Sequence, residues 1–429
     1  MLDLVRDRNL SLLLVDCAIF GFTLGLALLV VPLYTLTLSD SPLVLAAVVA
    51  VFPLTAILLS LASGAISDAV GSPAMMVAGF SLMACGCLVL AVSRSWQTVL
   101  VGQVFLGLGD VTYWIPAFAL VTRFAPSGHL YAVQGLASAA QWMGTIAGPF
   151  VGGVVARLAG YPAAFLIGGG LGLLGLLLAL CLRAGVREGR HVDSALAHVV
   201  AYHRNTLTLL LHDQRVMWAN LMHAAILLTW PLMRGSFYLA LLSSRGLSPA
   251  DSGAMVSAHL LVGAVAGLLI GRLGSGRSMQ RLLPGIAMLG AVTVGITPLL
   301  PSVPLLAAVA CLGGVIALYM PMLIGFLAES TSLPEQSMGV ALLNLSWAVV
   351  SPLGAFIVGV VVDQTSLSAA FYVTEAGVVI LVALLWVWVE RGPHWPFTEG
   401  SGGRATGVSR TELYDAPRGW SGLDKSSVE

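Results

Sequence analysis

Twelve stretches of this sequence are too apolar, over too great a length, to face water in a folded chain. They run over about 11–38, 43–67, 73–93, 97–124, 131–157 and 162–183, then 214–242, 252–273, 282–300, 303–327, 337–362 and 369–389. A bilayer core takes roughly 20 helical residues to cross, which is the scale of every run. Turn-forming residues punctuate them: Ser39-Asp40-Ser41-Pro42, Gly71-Ser72-Pro73, Pro126-Ser127-Gly128 and Pro301-Ser302. Only 9% of the 429 residues are charged and 58% are hydrophobic, against roughly 25% charged in a soluble protein. So few charges cannot tile a water-facing surface, and the expected fold is an all-α membrane protein of twelve transmembrane helices. The first run is too long for the apolar core of a cleavable signal and lacks a clear small-residue cleavage site, so it is read as a span.

The remaining composition mainly excludes. A formal net charge of zero gives no electrostatic basis for capturing nucleic acid. The 48 glycines suit helices that approach one another closely. Cys17, Cys85, Cys87, Cys181 and Cys311 all lie in apolar runs, with no zinc spacing and no disulfide framework. They read as small buried hydrophobes, with Cys85 and Cys87 pointing away from one another on a helix. No metal or cofactor is expected.

Arginine asymmetry sets the expected orientation. With the N-terminus inside, Arg6, Arg8, Arg123, Arg183, Arg187, Arg190, Arg204, Arg215, Arg272, Arg277, Arg281 and the tail cations are cytoplasmic, while Arg94, Arg157 and Arg245 are outside. Both termini are then cytoplasmic in a plasma (inner) membrane. The expected organisation is an N-terminal bundle over 1–183, a cytoplasmic linker over 184–213, a C-terminal bundle over 214–390 and a disordered tail over 391–429, Gly-, Ser- and Arg-rich in composition.

The halves repeat one another. Gly64-Ala-Ile-Ser-Asp68-Ala-Val-Gly71-Ser72 recurs 203 residues later as Gly267-Leu-Leu-Ile-Gly271-Arg-Leu-Gly274-Ser275, and Pro149 maps onto Pro352 at the same offset. Ala163-Ala164-Phe165 recurs as Ala369-Ala370-Phe371 at offset 206. A parallel six-plus-six repeat is a known plan of secondary transporters, with the solute site between the halves near the midplane.

On these residues the chain resembles the major facilitator superfamily over roughly 10–390. The segment Gly135-x8-Gly144-x3-Gly148-Pro149-x2-Gly152-Gly153 in the fifth run matches the family's motif C, typical of its proton-coupled drug antiporters. An ordinary glycine-rich packing face is the plainer alternative. Gly64, Asp68 and Gly71 look like motif A, although Ser72-Pro73 replaces its basic residues, and Arg123 would supply the missing cation. The fourth run resembles motif B around Gly107 and Gly109, with Gln103 where the family has an Arg linked to proton coupling. Coupling through that Arg does not carry over. Tyr161-Pro-Ala-Ala-Phe165 resembles the usual opening of the sixth span. The resemblance implies two six-helix bundles with spans one, four, seven and ten lining a central cavity.

Ionisable residues inside a membrane are costly and are functional candidates by default. Asp16, Asp110, Arg234 and Glu375 lie within spans, with no opposite charge at i±3 or i±4. Asp110, roughly 20 Å deep by helical rise, shares a helix face with Gln103, Gly107 and Trp114, a polar stripe that should face a wet cavity. Desolvation there disfavours the charged carboxylate, which suits a proton carrier; an ion pair with Arg234 or a hydrogen-bonded structural acid are the alternatives. Arg234 shares a face with His223, Trp230 and Tyr238, and either holds an anionic group by its planar fork or pairs with Asp110. Asp16, about 9 Å into the first span, would reach cytoplasmic water as a second proton or solute site. Glu375, in the peripheral twelfth span, reads as local packing or a headgroup contact. His259 and Asn344 read as satisfied polar residues that line or buttress the cavity.

The leading expectation is a secondary active transporter that exports a small amphipathic or anionic molecule against protons by alternating access. The alternatives are uptake or exchange of a metabolite or metal complex, or a sensor or assembly protein that keeps the fold without transport. An enzyme is not expected, because no His-Glu-x-x-His or Gly-x-Ser-x-Gly appears. ATP does not drive it from within this chain, whose one lysine, Lys425, follows Asp424 rather than the Gly of a phosphate loop. The expected partners are the solute, protons and the lipid bilayer; oligomeric state is left open.

Overall fold

The computed structural model describes residues 7–125, 129–182, 208–269, 276–331 and 333–391. The expected linker lies outside these up to residue 207, as do Arg272 and the tail from 392, and so do the side chains of Gly64, Asp68, Arg277 and Arg281. Every helix and turn below belongs to the described residues.

Six unbroken helices come first: α1 (Arg8–Leu38), α2 (Pro42–Val70), α3 (Ser72–Val92), α4 (Trp96–Phe124), α5 (Leu130–Ala159) and α6 (Tyr161–Leu180). The seventh span is two pieces, α7 (Gln214–Met233) and α8 (Ser236–Ser244). After α9 (Pro249–Leu269) and α10 (Gly276–Gly295), the tenth span is also divided, into α11 (Val303–Gly313) and α12 (Tyr319–Ser330) around a 3-10 segment, Gly314–Leu318. Then α13 (Leu333–Gln364) and α14 (Leu367–Arg391) complete the set. Eleven spans are long and apolar enough to cross a bilayer; the second contributes the apolar stretch Pro42–Thr55 and stays helical to Val70.

The ends are set by local chemistry. Asp7, Ser41 and Ser95 each accept a hydrogen bond from an N–H of the first turn that follows, and Ser95 forms a capping box with Thr98. Asp213 caps α7 through the N–H groups of Arg215 and Val216 and pairs with the Arg215 guanidinium at 3.1 Å. The reversals at Gly71 and Gly160 have φ of +98° and +86°, a left-handed backbone that favours glycine.

Two buried apolar cores form, one centred on each set of six spans; the first reaches Tyr238, Met255 and Leu306 of the second set, and the second takes in Leu45 and Ala46 of the first. The repeat extends to burial: Ala164 and Phe165 are fully enclosed, and so are their counterparts Ala370 and Phe371. Of the cysteines, Cys17 and Cys87 are buried, but Cys85 and Cys181 are exposed. Burial was therefore the wrong expectation for these two, because an apolar run in a membrane helix has a lipid side as well as a packed side. Cys85 and Cys87 do point apart.

The glycines of the fifth span have specific partners. A Cβ on Gly144 or Gly148 would collide with the carbonyls of Ala18 and Phe22 in α1, and one on Gly21 or Gly25 with those of Gln141 and Thr145 in α5. The two backbones thus pack directly on each other, as small residues permit in a bilayer. Gly135 stands apart, with nothing within 4 Å of where its Cβ would be.

The two bundles meet through a pair of matched contacts. Gly153 of α5 lies against the Pro249 carbonyl at the start of α9, while Gly253 of α9 lies against the Pro149 carbonyl. Ser257 donates to the Ile146 carbonyl at 2.6 Å in the same crossing. On the other side, a Cβ on Gly359 of α13 would come within 3.2 Å of the Pro42 carbonyl and 2.8 Å of the Ala46 Cβ in α2. Gly153 and Gly359 lie in the corresponding fifth and eleventh spans, and Pro42 and Pro249 each stand at the start of the second and eighth. Each bundle therefore seats a glycine on the first-turn proline carbonyl of the other, at the end of the molecule that carries residues 42, 153, 249 and 359.

Gly153→Leu and Gly359→Leu should each wedge this end apart, since overpacking costs about 1–3 kcal/mol. Ala46 is fully buried there. A cysteine placed by Ala46→Cys should react with a membrane-impermeant thiol reagent at least about fivefold faster in either glycine variant, by that energy.

Candidate functional site

On the N-terminal bundle the candidate residues are carried by α1 and α4. Asp16 is fully buried, and neither carboxylate oxygen has a hydrogen-bond partner among the described residues. It lies eight residues into α1, about 12 Å by helical rise, and does not reach water as its place near the end of the span suggested. The reason is the aromatic wall beside it. The Tyr113 hydroxyl donates to the neighbouring Cys17 sulfur at 3.6 Å. The Tyr113 ring stacks on Phe20 at 4.2 Å and meets Phe80 edge-on at 4.7 Å.

Asp110 is half-buried on α4 and forms no hydrogen bond or ion pair among the described residues. Trp114, one turn on, packs against Phe118 at 4.0 Å and lies 6.3 Å from Phe20. The expected polar stripe divides. Asp110 and Trp114 keep exposed surface, whereas Gln103 is buried and its amide donates to the Val48 carbonyl of α2 at 3.3 Å. Gly107 likewise sits against Phe52 and Thr55 of α2. Gln103 therefore ties α4 to α2 instead of facing a cavity. Arg123 is exposed at the end of α4, and Asp68, its expected partner in the loop motif, has no described side chain.

On the C-terminal bundle the site is built where helices stop. Pro231 lies near the end of α7, Arg234 leaves helical geometry with φ −152° and ψ 5°, and Gly235 is extended before α8 begins. Arg234 is 7% exposed, and its guanidinium carbon lies 3.9 Å from the centre of the Trp230 ring. A desolvated cation–π contact is worth about 2 kcal/mol or more. No carboxylate pairs with it among the described residues, and its Nε has no acceptor. The pairing of Arg234 with Asp110, one of the readings of each residue, is absent among the described residues.

The tenth span breaks beside the seventh. Tyr319, the first residue of α12, stacks on His223 of α7 at 5.6 Å and lies within electrostatic reach of Arg234. His223 Nε2 meets the Leu343 carbonyl at 3.1 Å. His259 of α9 bonds through Nδ1 to the Ala310 carbonyl at 2.8 Å, which holds α9 to the last turn of α11. Gly314 leaves room for this, because a Cβ there would strike the His259 carbonyl. Between the breaks lies a cavity of about 10 Å³ lined by Met233, Tyr238, His259, Thr297, Ala310 and Gly313, room for roughly one water.

The break corrects the expected face of His223, Trp230, Arg234 and Tyr238. Tyr238 belongs to α8, whose helical phase is reset by the non-helical Arg234 and Gly235, and its hydroxyl reaches Met255 Sδ at 3.8 Å. His259 is not fully satisfied, since Nε2 has no partner among the described residues, and Asn344 is exposed. Tyr319 was missed by the sequence reading. Its signal was Gly313-Gly314 inside an apolar run, a glycine interruption of the kind that marks discontinuous transporter helices.

The family model of the Major Facilitator Superfamily matches residues 17–301 and again 234–425. The chain belongs to the major facilitator superfamily. The superfamily is one of multi-pass membrane transporters of small solutes, and the apolar spans of this chain match that plan. Curated relatives in the superfamily are distant. A riboflavin transporter, RibZ of Clostridioides difficile (strain 630), is 23% identical over 27% of this chain and 26% of its own length. A protein named for multidrug resistance, MdtD of Yersinia pseudotuberculosis, is 25% identical over 57% of this chain and 53% of its own length. The chain thus spans from about a quarter to about half of these relatives. A solved structure of the nucleoside transporter NupG superposes with a TM-score of 0.71 at 12% identity, covering 89% of this chain and 99% of that one. That likeness establishes the fold.

Gln103→Ala should leave the Val48 carbonyl unpaired at the crossing of α2 and α4, at a cost of about 1–3 kcal/mol. Thermal unfolding of the protein in detergent micelles should show a lowered midpoint, and Gln103→Glu, which cannot donate when ionised, should lower it as well.

Proposed function

We propose that this chain is a proton-coupled exporter of a small amphipathic or anionic molecule, working by alternating access between bundles 1–183 and 214–390. In this reading 184–213 is the cytoplasmic linker, 391–429 is a cytoplasmic tail, and the protein lies in the plasma (inner) membrane with both termini inside. The observation that carries the reading is Arg234, a buried guanidinium at a helix break with no counter-ion among the described residues. An unpaired charge inside a membrane protein marks a place where a ligand completes the pairing. Asp110 and Asp16 add two acids on the opposite bundle that have no partner among the described residues, suited to taking up protons. The antiporter-type glycine pattern from Gly135 to Gly153 and the relative named for multidrug resistance support export. Gln103, Trp114, Trp230 and Tyr238 complete the proposed solute and coupling region, and Gly64, Asp68, Gly71 and Arg123 the loop that governs the conformational change.

A second reading, uptake or exchange of a metabolite, draws support from the relative named as a riboflavin transporter.

Proteoliposomes with an imposed pH gradient separate the two. Radiolabelled aromatic carboxylates and amphipathic dyes serve as probes, loaded on either side. Export predicts gradient-driven flux that Asp110→Asn lowers roughly tenfold, equivalent to about 1.4 kcal/mol, while Arg234→Gln raises KM for the carboxylates and spares cationic dyes. Flux that ignores the gradient, together with an Asp110→Asn variant equal to wild type, would remove the proposal.

A further inference from the structure

Glu375 stands outside everything assigned so far. It is the ninth residue of α14, about 12 Å from the helix start, and it is 2% exposed. Its side chain turns inward, so the expected headgroup contact does not form. Oε2 accepts a hydrogen bond from the Thr229 hydroxyl of α7 at 3.1 Å, and Oε1 has no partner among the described residues. The stem is held from the other side by α10, where a Cβ on Gly295 would come within 3.3 Å of the Glu375 Cβ.

Among the described residues, the groups presented by the elements around it leave the carboxyl without a charge to answer it. From α7, His223 is engaged with Leu343 and Tyr319, and Arg234 with Trp230. From α10, Thr293 donates to its own helix, as does Thr297 just beyond it. From α13, Asp363 is exposed at the far end of the helix. On α14 itself, Tyr372 and Glu390 are exposed. A carboxylate in such a place would be an uncompensated buried charge, which costs several kcal/mol; as the neutral acid it gains a donor and keeps the bond from Thr229.

Thr229 lies one turn and a half before Arg234. The carboxyl is therefore attached to the segment of α7 that runs into the break of the seventh span. We infer that Glu375 is a proton-binding site of the C-terminal bundle, exchanging its proton as the protein moves and tied through Thr229 to the broken seventh span. No atom other than the proton is transferred: the acid gives it to water when the bundle opens, and the carboxylate takes it back before the site closes. The site is independent of Asp16 and Asp110, so it can fail without affecting the export reading, and the reverse also holds.

Infrared difference spectroscopy of the full chain in nanodiscs, titrated through the neutral range without solute, tests this directly. The expected result is a protonated-carboxyl band in wild type that is lost as pH rises. The component lost in Glu375→Gln should remain in Asp16→Asn and Asp110→Asn, whose own components are lost instead. Thr229→Val, which keeps the acid but removes its donor, should shift the frequency of the same band, and it serves if Glu375→Gln does not fold. A Glu375 band that stays constant across the titration would overturn the inference in favour of a fixed structural acid. So would a titrating spectrum that is identical in wild type and Glu375→Gln once the bands of Asp16 and Asp110 are assigned by their own Asn variants, or a Glu375 band unmoved by Thr229→Val.

Discussion

A bilayer offers no water to satisfy a backbone N–H or C=O, so a chain that crosses it must pair those groups within itself. Ten spans meet this by running as continuous helices, the simplest solution available. The seventh and tenth do not. Arg234 and Gly235 interrupt one, and Gly314–Leu318 tighten the other into a 3-10 segment. Non-helical backbone at such depth is tolerated where protein or a polar cavity surrounds it, and that is where these breaks lie. Met233 from one and Gly313 from the other line the same small cavity, with His259 bridging to the Ala310 carbonyl. The energetic cost of two interrupted helices is thereby concentrated at one place, beside the buried cation.

The repeat makes this concentration informative. The contacts between bundles follow it at the level of spans, since Gly153 on Pro249 and Gly359 on Pro42 join corresponding helices in the two directions. The breaks do not obey it. The first and fourth spans, which correspond to the seventh and tenth, pass through Pro32 and Pro116 without interruption. One bundle presents its acids from rigid rods; the other presents its cation from a hinge. The duplicated frame holds the halves together, and the departures from duplication are where their chemistry differs.

Much of the frame was legible in the sequence, because span length and turn chemistry are local properties. Ser41, Ser95 and Asp213 fall where caps belong, and span limits were placed within a few residues. The packing role of Gly144 and Gly148 was legible too, although not their partner, since glycine spacing defines a face and not what lies opposite it. The site was read less well. A helical-wheel argument put Tyr238 beside Arg234, and it failed because a wheel assumes unbroken phase. Gln103 lay on the right face of α4 yet turned to α2, because position on a face does not say whether a neighbouring helix covers it. For Glu375 the place in the twelfth span left local packing and a headgroup contact open, and only the inward turn of its side chain separates them.

The charges that remain are of two kinds, and their chemistry differs. A buried carboxyl such as Asp16 can escape an unpaired charge by taking up a proton. A guanidinium has no such escape, because it stays protonated under all ordinary conditions. The ring of Trp230 offsets part of the cost at Arg234, but a cation–π contact does not replace a counter-ion. On the proposed function, Asp16 and Asp110, like Glu375, look to protons for neutrality, and Arg234 looks to an anion. In the closed contact between bundles they do not satisfy each other, since Asp110 and Arg234 form no pair. That separation is what a coupled carrier requires: if the acid and the cation neutralised one another permanently, neither proton nor solute would have a charge to answer.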